Sequence, residues 1–441
     1  MFALEEEKKS SLPGLKYPSL RDSLVKSADI WLDGKRQDDN VGDLWRVHDE
    51  LYDLTEWIEK HPGGSDWINF TRGTDITEAF EAHHISLKAE LMLKNFHVGP
   101  ANGPRNSPYT FKEDGFYRTL KQKVRRVLSE SPPGVPWKSM VIADSLLAGT
   151  FITGILSAIT TNFLLGIVSG TLLALTVISA HNFFHQKDNL RMYYFDLSFM
   201  SSRSWRVSHS MSHHLYTNTV LDMEISMLEP FLQYLPRKSK PWWIRYGSWI
   251  SSPAVYAFVF HSFIGTRMYM ALKGYKGALK KEDLLPLLLP LLMLLCSGYE
   301  NWWAIIMWTW IVIVSSFVFG FIGVSAAHHH PDIFHDGDTP REDRDWGIGQ
   351  IDAVRDRPEI TGSLFLTLVT FGDHCLHHLF PTVDHSHLHL LSSVFEETCK
   401  EFNIEEQKNS FFGLVIGQFR QLANNTPNPD PPGKKILVVE K

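Results

Sequence analysis

The sequence predicts two architectures in one chain of 441 residues: a small acidic soluble module towards the N-terminus, then an all-α multi-pass membrane domain of two hairpins under a cytosolic helical cap. Three observations carry this. Residues 145–180 contain no charged side chain, residues 43–94 hold eleven acids against five bases, and clustered histidines stand at the ends of the long apolar runs. The length exceeds the roughly 250–300 residues at which one core stops growing, so two or three domains are expected. No nucleic-acid partner is expected of a chain with net charge −6.

Thirty-six uncharged residues rise about 54 Å as a helix, nearly twice a hydrocarbon core of about 30 Å. The run must fold back, with Thr160-Thr161-Asn162 at its turn. Further apolar stretches lie at 247–266, 284–299 and 301–327. The first, broken by Ser, Pro and His261 and flanked by Arg245 and Arg267, reads as an interfacial helix. The other two form the second hairpin. Their connection, "SGYENWW", has no lysine or arginine, whereas residues 187–206, 237–245 and 267–281 are rich in both. Positive residues collect on the cytosolic side. The tryptophan pairs 242–243 and 302–303 suit membrane interfaces as anchors.

The domain boundaries follow as a disordered leader (1–39), the acidic module (40–100), a linker and membrane approach (101–136), the membrane domain (137–400) and a C-terminal segment with a mobile proline-rich tail (401–441). The leader lacks the basic-then-apolar order of a cleaved signal. Cys296, Cys375 and Cys399 show no paired spacing, so no disulfide framework is expected and the polar parts face a reducing cytosol. The sequons at Asn69 and Asn424 then carry no weight.

In the acidic module His61 precedes Pro62-Gly63-Gly64, and His84 follows twenty-three residues later after an amphipathic segment. Such an arrangement can clamp a flat ligand from both faces. The elements "YDLT", "HPGG" and "GTDITEAF" resemble the cytochrome b5 domain over residues 40–100. The resemblance implies an α+β fold and haem b with His61 and His84 as axial ligands; His83 is the rival for the second place. Two imidazoles leave the iron no open position, so the module should carry one electron at a time. Without a CxxCH motif the haem is held non-covalently. Glu56, Glu59, Asp66 and Asp75 could present an acidic rim to a basic reductase, and His48 and His97 read as ordinary polar residues.

Beside the membrane runs stand "HNFFHQ" (His181, His185), "WRVSHSMSHHLYTN" (His209, His213, His214) and "DHCLHHLF" (His374, His377, His378). His181 and His185 share one helical face. Zinc peptidases use this spacing but need a Glu next to the first His, where Asn182 stands. Eight imidazoles exceed what one ion can use, so two metals are implied, and imidazole suits iron, zinc or copper. An adjacent one-electron carrier favours iron. The boxes HxxxH, HxxxHH and HxxHH resemble the membrane fatty acid desaturase and hydroxylase superfamily over residues 137–390, which implies two non-haem irons on those eight histidines. His328 in "VSAAH" resembles an extra ligand of stearoyl-type desaturases, with Val324 where an asparagine would be; His329, His330 and His335 are weaker candidates. His385, His387 and His389 read as outer residues, and Asp373 and Asp384 could orient ligand imidazoles from behind.

The whole order resembles the cytochrome b5/fatty acid desaturase fusions, and within them the insect cytochrome b5-related proteins, which share the leader "LPGLKYPSLRDS". It implies an endoplasmic reticulum enzyme, with haem domain and histidine boxes cytosolic, that desaturates an acyl-CoA or acyl lipid with dioxygen. Electrons would come from NADH through cytochrome b5 reductase. A fatty acyl or sphingolipid hydroxylase, or a non-catalytic membrane-bound haem electron-transfer protein, are the alternatives. The third box begins with His374 where front-end desaturase fusions have glutamine, so regiochemistry does not carry over.

Overall fold

The computed structural model describes residues 8–433. Residues 8–39, expected to be disordered, are ordered. Ser27 caps helix α1 (Ala28–Asp39), and Leu12, Leu15 and Leu32 are buried. The leader is held by distant partners: Ser10 Oγ and Ser11 N donate to Asp336, Lys16 N to Asn106 and Trp31 Nε1 to Leu221 O. Its composition looks solvated because every stabilising neighbour is remote in sequence. Residues 1–7 of that expectation lie outside the described residues.

The acidic module has the α+β fold implied for it. Strands β1 (Trp45–Val47), β2 (Glu50–Tyr52) and β3 (His97–Pro100) form an antiparallel sheet in that order. Helices α2 (Ser65–Phe70), α3 (Thr77–His83) and α4 (Leu87–Leu93) complete it. Trp45 is fully buried among Val47, Leu54, Ile68 and Phe80, and its Nε1 donates to Ile68 O, so the bulkiest core residue also has its polar atom satisfied. The stretch expected as a linker is packed structure. Helix α5 (Phe116–Glu130) buries Phe116, Tyr117, Leu120 and Val124 on one face. Two of its bases, Arg118 and Lys121, pair with Glu81 of α3 at 2.5 and 2.9 Å.

Helices α6 (Trp137–Thr160) and α7 (Phe163–Phe184) form the first hairpin, turning at Thr161 in the left-handed region (φ 51°) where expected. The Asn162 side chain accepts from Leu164 N and Leu165 N, capping α7. Helix α8 (Trp242–Leu272) is longer than the interfacial helix anticipated. Both its ends are tied to the histidine-bearing side: Arg245 donates to Ala423 O and Arg267 to Phe199 O and Asp283. It therefore runs along the edge of the apolar layer, with Trp242, Trp243, Trp249 and Ile250 exposed.

The second hairpin is asymmetric. Its first arm is a 3₁₀ turn (Lys281–Leu287) leading into the ten-residue α9 (Leu288–Ser297), whereas α10 (Trp303–Val324) has 22 residues. Ten residues rise about 15 Å, half the hydrocarbon thickness, so α9 is no full span by itself. The arm nevertheless runs from Arg267–Asp283, beside Phe199, to Asn301, which donates to Ala158 O near the tip of the first hairpin. Among the described residues three helices, α6, α7 and α10, are long and apolar enough to cross a membrane.

Over the histidine end lies a cap of short elements closed by α11 (Trp346–Asp352), α12 (His374–Leu379) and α13 (Phe411–Ala423). The proline-rich tail, expected to be mobile, is pinned at Asn428, whose N donates to Asp338 and whose O accepts from Thr339 N; residues 434–441 of that segment lie outside the described residues.

Candidate metal centre and haem cavity

Local backbone decides which imidazole faces which way. His181 and His185 sit one turn apart at the end of α7. Residues Arg206–His213 form a π-helical turn, an i→i+5 winding that recurs at functional sites. That winding brings His209 and His214, five apart, to an Nε2–Nε2 separation of 3.0 Å, while His213 faces the other way, 3.1 Å from His328. At α12 the Asp356 carboxylate accepts from His374 N and Cys375 N, tying down the helix start. His374 and His378 then share one face and His377 the next.

The result is two groups of buried nitrogens: His181, His185, His209, His214 and His377, and His213, His328, His374 and His378. The eight box histidines and His328 are all among them. In the first group His181 Nε2 lies 2.7 Å from His209, 3.0 Å from His185 and 3.2 Å from His377. In the second, His374 Nε2 is 2.7 Å from His328 and 3.2 Å from His378. A neutral imidazole has one N–H, so one nitrogen cannot satisfy three such neighbours by hydrogen bonding. Octahedral ligation at about 2.1 Å gives polyhedron edges of about 3.0 Å, matching these separations. The donor set fits cations of the imidazole-binding type.

Several rear nitrogens are held as metal-binding imidazoles require, whereas Nδ1 of His214, His374 and His377 meets no hydrogen-bond partner among the described residues. His209 Nδ1 is 2.9 Å from Glu224, His213 Nδ1 2.9 Å from Asp222, His328 Nδ1 2.9 Å from Ala353 O and His185 Nδ1 3.1 Å from Ser210 Oγ. Burial, then neighbouring imidazoles, holds His214, His328, His374, His377 and His378 far below the ordinary histidine range, so their lone pairs are free at neutral pH. His213 is the exception. Burial pulls it down, but Asp222 and Glu224 outweigh that and raise it.

Sequence reasoning missed Asp222 and Glu224. The acids it nominated act elsewhere: Asp384 accepts from Ser139, Asn182 and Gln186, and Asp373 from Thr367. The signal was present, since "LDMEIS" follows the second box closely, but only the fold turns that segment back beneath it. His385 is an outer residue as expected, its Nδ1 on Asn182 and its ring stacked 4.6 Å from His377. His329, His330 and His335 join neither group; His329 instead stacks on Tyr234.

The haem-type cavity has a volume of about 510 Å³ and is walled by Trp57, His61, Phe80, His83 and His84. His61 Nδ1 lies 3.0 Å from Gly64 O and His84 Nδ1 3.0 Å from Phe80 O, which leaves each Nε2 as an acceptor. Their ring centres are 6.2 Å apart. Two imidazoles on opposite faces of one iron, at bonds of about 2.0 Å, give about 6.3 Å. That spacing favours His84 over its neighbour. His83 instead packs against Trp67 at 5.3 Å. Burial lowers His84 to about 4 and also lowers His61. The expected acidic rim is only half present: Glu56 and Glu59 are exposed, but Asp75 is buried against Arg105 and Asp66 pairs with Arg203.

The cavity also reaches the other domain, for His185, Gln186, Lys187 and Met211 line it. On its far side the metal centre borders an apolar slot of about 110 Å³ between α8 and α10, where Val259, Phe263, Phe319 and Gly323 face His213, His328 and His374. Val324, standing where the related pattern has asparagine, lines this slot.

Comparison with known proteins assigns a family to each part of the chain. The fatty acid desaturase family model matches residues 158–409, and that of the cytochrome b5-like heme/steroid binding domain residues 33–102. A cytochrome b5-related protein of Drosophila melanogaster is 43% identical over 98% of this chain and 99% of its own. Its counterpart in Drosophila virilis is 48% identical over 29% of this chain and 88% of its own. A Delta(5) fatty acid desaturase A of Dictyostelium discoideum is 26% identical over 88% of this chain and 92% of its own. No solved structure matches. The chain belongs to the fatty acid desaturase family, in the form that carries an N-terminal cytochrome b5-like haem-binding domain, as a relative of the insect cytochrome b5-related proteins.

Proposed function

We propose that this protein is an oxygen-dependent fatty acyl lipid desaturase with its electron donor built in. The observation that carries the reading is the arrangement of nine inward-facing imidazoles in two groups, with an apolar slot on one side and a haem cavity on the other. The two histidine groups would hold iron, which would supply dioxygen activation strong enough to break an unactivated C–H bond. The chain's own residues do the rest. Asp222, Glu224, Ser210 and the Ala353 carbonyl hold the ligand rings in orientation from behind. The slot would hold one acyl segment beside the second group and exclude water, so that one methylene pair is presented. Overall, a CH₂–CH₂ unit, one dioxygen, two electrons and two protons give CH=CH and two waters. The electrons would come from NADH through cytochrome b5 reductase to a haem b on His61 and His84, with Glu56 and Glu59 facing that partner. The basic segments beside the boxes support a cytosolic siding, and the membrane of this reading is the endoplasmic reticulum.

The test is purified full-length protein in lipid vesicles with reductase and NADH. Two non-haem irons per haem, with oxygen-dependent double bonds found by mass spectrometry, are expected. A hydroxylated lipid would reassign the reaction, and haem without non-haem iron would overturn the reading.

A further inference from the structure

One buried cation joins the two redox sites. Arg206, 1% exposed, is the first residue of the π-helical turn that carries His209 and His213. Its guanidinium donates from Nε to Phe184 O at 3.0 Å and from Nη2 to Gln186 O at 3.1 Å, on either side of His185. Nη1 donates to Asp188 at 2.5 Å, and the plane lies 4.7 Å above the ring of Trp67, a wall of the haem cavity. Asp188 N in turn donates to Gly63 O, in the loop that begins with His61. The fit is close: a Cβ on Gly64, whose φ is +115°, would stand 2.6 Å from the Asp188 carboxylate. The second glycine of "HPGG" thus admits the first-box loop of the neighbouring domain. On the opposite side Tyr117 OH donates to Glu81 O and Leu379 O, joining α3 to α12.

We propose that Arg206 is a positioning residue for electron transfer. It fixes the haem loop against the His185–Asp188 loop, so that electrons cross a docked contact at His185 and Gln186 instead of by collision of a tethered domain. The inference rests on the desaturase reading. A buried guanidinium with hydrogen bonds to two carbonyls and a carboxylate has a fixed geometry that lysine cannot reproduce. Misplacement by about 1 Å can cost on the order of a hundredfold in a step that depends on position.

The experiment uses the full chain, loaded with haem and iron in lipid vesicles. The haem is reduced anaerobically with NADH and reductase, then mixed with dioxygen, and its reoxidation is followed by absorbance. In Arg206→Met reoxidation should slow roughly tenfold or more, with partial recovery in Arg206→Lys and an intermediate rate in Asp188→Asn. Haem content, haem spectrum and reductase-driven reduction should stay as in the parent. A small-molecule reductant that feeds the metal centre directly should give equal single-turnover product in all variants. The parent's rate should also hold steady as salt rises, where a tethered encounter between charged surfaces would change.

Parental reoxidation rates in the variants would overturn the proposal. So would an equal loss with the small-molecule reductant, which would make Arg206 a prop of the metal site alone. If Arg206→Met fails to fold, Asp188→Asn decides, since that side chain is 56% exposed and a parental rate there refutes the lock. A parent whose haem shows no oxygen-dependent reoxidation sinks the desaturase reading itself, a separate outcome.

Discussion

The haem cavity and the metal centre use the same side chain in opposite ways. The cavity takes both candidate axial imidazoles from one stretch of twenty-four residues and holds them 6.2 Å apart around open space. The candidate metal centre collects nine from segments nearly 200 residues apart and brings neighbouring nitrogens to 2.7–3.2 Å. One site is a local motif that closes on a large ligand. The other exists only when the membrane hairpins and the cap have assembled. Their sensitivities to damage should therefore differ.

The largest effect separates them. His374→Ala should abolish turnover and strip non-haem iron while leaving the haem spectrum intact, and His61→Ala should remove haem while iron stays. Metal analysis beside absorbance spectra checks this, and loss of both groups from either variant would show that the sites fold as one. Next, Asp222→Asn and Glu224→Gln should lower metal affinity or activity about 10- to 100-fold, with no change in haem content. Equilibrium metal titration reads that out. Gly323→Leu comes third. A Cβ there meets nothing within 4 Å, so the added side chain should fill the slot and cut turnover of long acyl chains without loss of fold. Product profiles across chain lengths decide it, and unchanged profiles would put the acyl chain elsewhere.

The smallest effect concerns acid. His84 is held at about 4 in the folded state, below its ordinary 6.5, so between those values the unfolded chain binds more protons. Its neutral burial therefore costs nothing above about pH 6.5, and destabilisation grows as pH falls from there to about 4. Denaturant midpoints of the haem-free protein should drop across that window. A flat profile would mean that His84 is not buried neutral.

The same contrast explains what could be read from sequence. His61, His84 and the boxes were legible because ligand chemistry dictates residue type and spacing over a few helical turns. The turn at Thr160-Thr161-Asn162 was legible because its run is twice too long for one crossing. Order in the leader was not, since Ser10 and Ser11 meet Asp336 more than 300 residues away. Nor was the backing role of Asp222 and Glu224, nor the sharing of His185 between cavity and centre, because each depends on a fold-level contact. The shortness of α9 was hidden too, because hydropathy marks an apolar run without saying where its helix starts.

The most direct measurement is the stoichiometry of iron to haem in the intact, purified protein, with Mössbauer spectra to separate the pools. The account predicts two nitrogen-ligated non-haem irons for each bis-histidine haem. Haem iron alone, or zinc in both histidine groups of an active preparation, would contradict it.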